Sequence, residues 1–217
     1  DIEFAVDHSG VIFTFQVRPI VTNDLASVSE LDVISNAINE AKNDFKKWQK
    51  PAPQILGEYT CFSSMTDWNP AEIIGHNPSD LAVSLYRHLI TEQNWATQRF
   101  QYGYRDVRPA PLVHMFCGHP YVDCRASINS LIPGDLHETL ALKLVTIYMD
   151  KLISEPHLHD KVELDVVFTI WTSNFKEEFS QRFPGHDLSD HDVELLEVSL
   201  KKLTTEALGR LSPDISS

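Results

Sequence analysis

Along residues 1–7 the apolar Ile2, Phe4 and Val6 alternate with Glu3, Ala5 and Asp7, and a second apolar run over 11–17 follows His8, Ser9 and Gly10. The alternation predicts a β-hairpin. A lone hairpin is marginal in water, so this one is expected to lean on a larger sheet. After Arg18 and Pro19, a helix is expected from about Ser27, where Glu30 completes a capping box, with Leu31, Ile34, Ile38, Ala41, Phe45 and Trp48 on one stripe. Pro51, Ala52 and Pro53 end that helix and read as a linker or domain boundary.

The stretch Asp67, Trp68, Asn69, Pro70, Ala71, Glu72, Ile73, Ile74, Gly75 carries a full set of short-helix signals. Asn69 caps the free amides, Pro70 suits the first helical position, Glu72 answers in a capping box, and Gly75 takes the left-handed turn at the end. Further helices are predicted from Ser79 and from near Thr91, and a β-hairpin over 112–116 and 121–124, joined across Cys117, Gly118, His119 and Pro120. A long helix follows Asp135, with Leu136, Leu140, Leu144, Ile147, Tyr148 and Leu152 recurring, and closes around Pro156. Residues 162–171 read as a strand, 174–183 as a short helix, 189–208 as a long one, and 213–217 as a frayed end. The expected fold class is α+β: an N-terminal hairpin over 1–22, a connecting helix and linker over 23–56, and a mainly helical domain with a few short strands over 57–217.

Composition narrows the function classes. The 217 residues hold 42% hydrophobic side chains but no apolar run near the roughly 20 residues a membrane span needs. Eighteen Lys and Arg stand against 31 Asp and Glu, a formal charge of −13, which argues against nucleic acid as a partner. Three cysteines fit buried thiols in a reducing compartment, so a cytoplasmic protein without a membrane partner is expected.

The residues Asp1, Ile2, Glu3, Phe4, Ala5, then Gly10, then Phe15, Gln16, Val17, Arg18, Pro19 form a specific combination, an acidic residue in one strand with Gln and Arg at the end of its hairpin partner. This combination resembles the end of the ATP-grasp domain in the phosphoenolpyruvate synthase and pyruvate, phosphate dikinase family. The resemblance implies that Glu3 helps hold Mg²⁺ on the nucleotide phosphates and that Gln16 and Arg18 lie against the phosphates, Arg18 as the catalytic group. The chemistry is consistent, since a hard cation takes carboxylate oxygen and a guanidinium fork neutralises phosphoryl charge. A weaker similarity continues through 67–75, Pro78, Leu81, Ser84, Leu85 and Tyr86, then 118–123, and looks like the central region that follows the ATP-grasp domain.

What the chain lacks matters equally. No His has the Gly-rich, Thr-His setting of the family's phosphoryl carrier, the Gly-rich nucleotide-binding half is missing, and 217 residues leave no room for a phosphoenolpyruvate-binding barrel. The expectation is therefore a non-catalytic piece of a longer ATP- and Mg²⁺-using phosphotransferase, whose partners are the missing ATP-grasp half and the phosphohistidine domain.

Asp67, Trp68, Asn69, Glu72, Arg99, Tyr104, Arg105, Arg108 and Asp123 form a second candidate site. Its arginines either pair with Asp67, Glu72 or Asp123 to fasten the domain, which is the favoured reading, or hold a small phosphorylated or carboxylate substrate between Trp68 and Tyr104. The competing functions are thus a small-ligand module and a structural or interaction domain. Cys117, His119 and Cys124 do not have a common zinc spacing and read as core and turn residues. His157, His159 and Asp160 read as a hydrated turn, 186–192 as a polar turn and helix start, and Cys61 as a packing residue.

Overall fold

The computed structural model describes residues 2–17 and 28–215, and its contacts divide the chain into two compact units between Glu40 and Ala41. It is α+β, as the residue pattern predicts. Among the described residues no helix is long and apolar enough to cross a membrane.

In the first unit, β1 (Ile2–Val6) and β2 (Ile12–Val17) pair antiparallel. The turn is closed by Asp7, whose carboxylate accepts from the Ser9 amide at 2.8 Å, the Ser9 hydroxyl at 2.7 Å and the Val11 amide at 3.0 Å, with Gly10 at φ +85°. Those donors hold the Asp7 carboxyl below its usual range. The ladder pairs Ile2 with Val17 and Glu3 with Gln16, then Phe4 with Thr14, so Phe15 is the extra residue of a β-bulge. Both faces of the hairpin are exposed, including Phe4, Phe13 and Phe15. Helix α1 (Val28–Trp48) begins in this unit, where Leu31, Ile34 and Ile38 are exposed, and ends in the second; the proposed cap Ser27 lies outside the described residues.

The second unit includes the Pro51–Pro53 stretch expected to be a linker. Gln49 exchanges hydrogen bonds with the Thr60 backbone, Nε2 donating at 2.9 Å and Oε1 accepting at 2.9 Å. The buried Arg125 donates to the carbonyls of Trp48, Lys50 and Gly57, each at 3.0 Å. These bonds make 48–57 part of the domain wall, and proline here ends the helix without freeing the chain.

A three-stranded antiparallel sheet in the order β3 (Phe62–Ser63), β5 (His119–Asp123), β4 (Val113–Phe116) forms one layer of this unit. Cys117 and Gly118 make its two-residue hairpin turn, both at positive φ (50° and 81°), the geometry that matches the twist of the flanking strands. Over the sheet, Val113 and Val122 share a small core with Leu112, Trp95, Tyr86 and Ala126. Helices α2 (Pro70–Ile73), α3 (Asp80–Tyr86) and α4 (Asn94–Gln101) frame it, with a π-helical turn over Arg87–Thr91 between the last two. The α2 signals are realised: Asn69 accepts from the Glu72 amide at 3.2 Å and Gly75 sits at φ +82°. Ser79 caps α3 through the Ala82 amide at 3.3 Å. The helix expected from Thr91 starts instead at Asn94, because Thr91 completes the preceding π turn.

The larger core belongs to α5 (Cys124–Asn129), α6 (Glu138–Ser154), α7 (Phe175–Arg182) and α8 (Asp190–Ile215). On α6, Leu140, Leu144, Tyr148 and Leu152 recur every four residues and all are buried. Phe175, Phe179 and Phe183 repeat the spacing on and just beyond α7 and close on Phe168, adjacent ring centres lying 5.1–5.7 Å apart. A reciprocal cap starts α8: Ser189 Oγ accepts from the Asp192 amide at 3.1 Å and Asp192 accepts from the Ser189 amide at 3.0 Å.

Two boundaries differ from the sequence reading. Residues 162–171 are not a strand: Val162–Val166 form a π-helical turn, after which Val167 and Phe168 enter the core as irregular chain. A short buried apolar run looks the same in either state, and here tertiary packing rather than a ladder partner satisfied it. Helix α8 also continues past Pro213 to Ile215, where a frayed end was expected.

Candidate functional site

The first candidate site rests on the hairpin. Glu3 and Gln16 are directly opposed across β1 and β2, so the side chains leave the same face, immediately before the bulge at Phe15. Arg18, the expected catalytic group, lies outside the described residues.

The second candidate site resolves into separate arrangements. Asp67, which precedes α2, is buried, and Arg99 on α4 holds it by two parallel bonds of 2.7 and 2.8 Å. Ser127 on α5 donates to the same carboxylate at 2.7 Å, and Arg99 donates to Ser130 at 2.5 Å. The segment before α2 is thereby tied to α4 and α5 at one charge pair. Arg108 is held by its neighbour Asp106 at 2.6 and 2.8 Å and by Thr97 at 3.2 Å; the pairing lowers the Asp106 carboxyl and raises the Arg108 guanidinium. Arg105 gives its amide to the Ile132 carbonyl at 2.9 Å, and its buried Nε has no hydrogen-bond partner among the described residues.

Asp123 caps α5, accepting from the Ala126 amide at 3.0 Å and the Thr60 hydroxyl at 2.6 Å. Burial pushes its carboxyl up against the effect of those bonds. His114 Nε2 lies 3.8 Å from Asp123, beyond hydrogen-bond length, and burial helped by Arg87 and Lys47 depresses the imidazole to about 4. At neutral pH His114 is therefore uncharged, and the contact is not an ion pair.

Trp68 and Tyr104 do not face one another across a pocket. Tyr104 gives its hydroxyl to the Thr169 carbonyl at 2.7 Å. Trp68, at φ +52°, accepts the Tyr86 hydroxyl on its carbonyl and lines a cavity of about 270 Å³ with Leu89, Asn94, Trp95 and Gln98. None of the five expected arginine and aspartate anchors lines that cavity, and Glu72 is exposed on α2.

The histidine and cysteine groupings are redrawn. Cys117 is exposed at the β4–β5 turn, His119 bonds the His76 carbonyl, and Cys124 is buried at the start of α5, so these three do not converge. Cys124 instead meets Cys61 and His159, the ligand atoms of all three lying within 4.8 Å of one another. Spacing gave no signal for this group, because each residue comes from a different element. The chain matches no protein-family profile, no curated protein and no solved structure.

Proposed function

We propose that the chain is a segment of an ATP-dependent phosphotransferase resembling phosphoenolpyruvate synthase, contributing an edge of the ATP and Mg²⁺ site and a structural central domain. The observation that supports this reading is the pairing of Glu3 with Gln16 beside a bulge: it directs a carboxylate and a carboxamide to one face, two residues before Arg18. A carboxylate of that kind is suited to Mg²⁺, and the guanidinium beyond it to a transferring phosphoryl group. On this reading the partners are the nucleotide-binding half of the ATP-grasp domain and a phosphohistidine domain, the protein is cytoplasmic, and the chain by itself does not turn over.

The arginine arrangement disfavours the small-ligand alternative. Arg99 is committed to Asp67 and Arg108 to Asp106, so a phosphate or carboxylate would have to displace a bonded carboxylate from either. Domain fastening is the role the long-range Arg99–Asp67 pair suits, whereas Arg108 and Asp106 close their own turn.

The test uses the full-length gene product with labelled ATP, Mg²⁺ and pyruvate. Glu3→Gln and Arg18→Ala are each expected to lower phosphoryl transfer by about 100-fold or more, the loss typical of removing a charge-stabilising group. The 217-residue chain alone should form no acid-labile phosphohistidine. Wild-type rates in Glu3→Gln, or a gene product lacking both the Gly-rich half and a carrier histidine, would sink the reading.

A further inference from the structure

Cys61 immediately precedes β3, Cys124 opens α5, and His159 follows the short 3₁₀ turn Pro156–Leu158 at the end of α6. The first two are adjacent across the sheet edge, where the Cys124 amide donates to the Cys61 carbonyl at 3.0 Å and the next residues, Phe62 and Asp123, are paired. Cys124 Sγ lies 4.0 Å from His159 Nδ1. The loop that presents this ring is fixed by the Thr66 hydroxyl, which donates to the His159 carbonyl at 2.7 Å. We propose that Cys61, Cys124 and His159 form a binding site for a four-coordinate, thiolate-preferring divalent ion of the Zn²⁺ class, with the fourth position open to the adjoining cavity.

Three features carry the assignment. The donor set, two sulfurs and one imidazole nitrogen, is the kind that selects zinc over magnesium or calcium. With bonds of about 2.3 Å to sulfur and about 2.0 Å to nitrogen, a tetrahedral ion requires donor separations of about 3.5–3.8 Å. The present separations, all within 4.8 Å, close to those values by side-chain movements of roughly an ångström. Entry is also provided, since His159 lines a cavity of about 390 Å³ with Ser63, Met65, His157 and Asp160, and water or one of these side chains is at hand for the fourth position.

The protonation states are consistent with that geometry. Burial keeps the His159 imidazole below its usual value, hence neutral with a lone pair available, while its ring also bonds the Leu152 main chain. Cys61 and Cys124 share a hydrogen bond, which lowers the Cys61 thiol and raises the Cys124 thiol. Binding exchanges the thiol protons for the ion: two S–H protons leave to solvent and two metal–sulfur bonds form, with no change of oxidation state.

The site is independent of the phosphotransfer reading, and its test contains no ATP. The phosphine-reduced chain is titrated with Co²⁺ and then Zn²⁺. One equivalent of Co²⁺ should produce a thiolate charge-transfer band and the intense visible bands of a tetrahedral ion, Zn²⁺ should abolish both, and about two protons should be released per ion at neutral pH. Cys61→Ser and His159→Gln should each weaken binding by more than about 100-fold, beyond what loss of an outer-shell partner gives, whereas Cys117→Ser should bind as the wild type does. Far-ultraviolet circular dichroism verifies that each variant is folded, and the wild-type titration stands without them. No charge-transfer band in the reduced wild-type chain overturns the proposal; a Cys61–Cys124 disulfide forming in air while Co²⁺ leaves no band would assign the pair to redox chemistry instead. A band that survives Cys61→Ser or His159→Gln undiminished overturns it equally.

Discussion

Arg99 grips Asp67 through both of its terminal nitrogens, at 2.7 and 2.8 Å, with the Asp67 side chain only 2% exposed. A buried pair of this kind specifies how elements meet more than it adds net stability, because desolvation of two charges offsets most of their attraction. Removing one partner is a different matter. Arg99→Met is expected to cost about 3–5 kcal/mol, because the Asp67 carboxylate is left buried with only Ser127. Asp67→Asn together with Arg99→Met should cost clearly less than the sum of the single changes. Urea unfolding of the four proteins measures this; additive losses would show that the two side chains do not act as a unit.

His114 makes stability depend on pH. Its ring lies against Trp48, 4.1 Å between centres, and edge-on to Phe62, and its value falls from 6.5 to about 4 in the fold. The unfolded chain therefore takes up a proton between those values that the folded chain refuses. The contribution is fully present above pH 6.5 and is lost as pH falls through about 4, up to about 3 kcal/mol. The facing groups are Arg87 and Lys47, which lower the imidazole further, and Asp44, which raises it, with Asp123 at 3.8 Å. Asp123 has a raised carboxyl and so titrates in the opposite sense. Comparison with His114→Phe, which keeps the aromatic packing, isolates the histidine: the stability difference between the two proteins should narrow or widen steadily in favour of the variant as pH drops from 6.5 to 4. A difference that is flat with pH would show that His114 is not held neutral.

Gly134 and Gly209 should respond oppositely to alanine. A Cβ on Gly134 would lie 2.9 Å from the Gly103 carbonyl oxygen and 3.0 Å from that of Tyr104, and both are backbone atoms held by the bridge between Tyr104 and Pro133. Gly134→Ala is expected to cost about 2–3 kcal/mol, since none of these atoms is a flexible side-chain tip. Gly209 lies within α8 with nothing within 4 Å of the added carbon, so Gly209→Ala should stabilise by up to about 1 kcal/mol. Thermal melts of both variants decide; a tolerated Gly134→Ala would mean that the 103–104 and 133–134 segments can separate.

Local chemistry was legible in the residues, and meetings between distant ones were not. Asn69, Pro70 and Gly75 carry their helix in their own side chains and backbone preferences, and the four-residue recurrence of α6 announces a buried face. The Arg99 and Asp67 pair was within reach because an arginine-rich stretch in an acidic chain needs partners, although which acid it takes is set only by the packing of α4 against α5. The apolar run at 162–171 misled, since periodicity cannot tell a buried turn from a buried strand. Cys61, Cys124 and His159 gave no warning, because their convergence is produced by a sheet edge and two helix ends that have no common spacing.

The three carbonyls gathered by Arg125 change what the prolines at 51 and 53 mean. A tether can be lengthened or shortened at little cost, because only its end-to-end reach matters. Here the carbonyls of Trp48, Lys50 and Gly57 are fastened to one guanidinium that comes from 68 to 77 positions further along the chain. Inserting or deleting a residue between Lys50 and Gly57 would pull acceptors away from a buried cation whose Nε already lacks a partner among the described residues. The segment is therefore of fixed length, set by the reach of one arginine and not by the distance it spans.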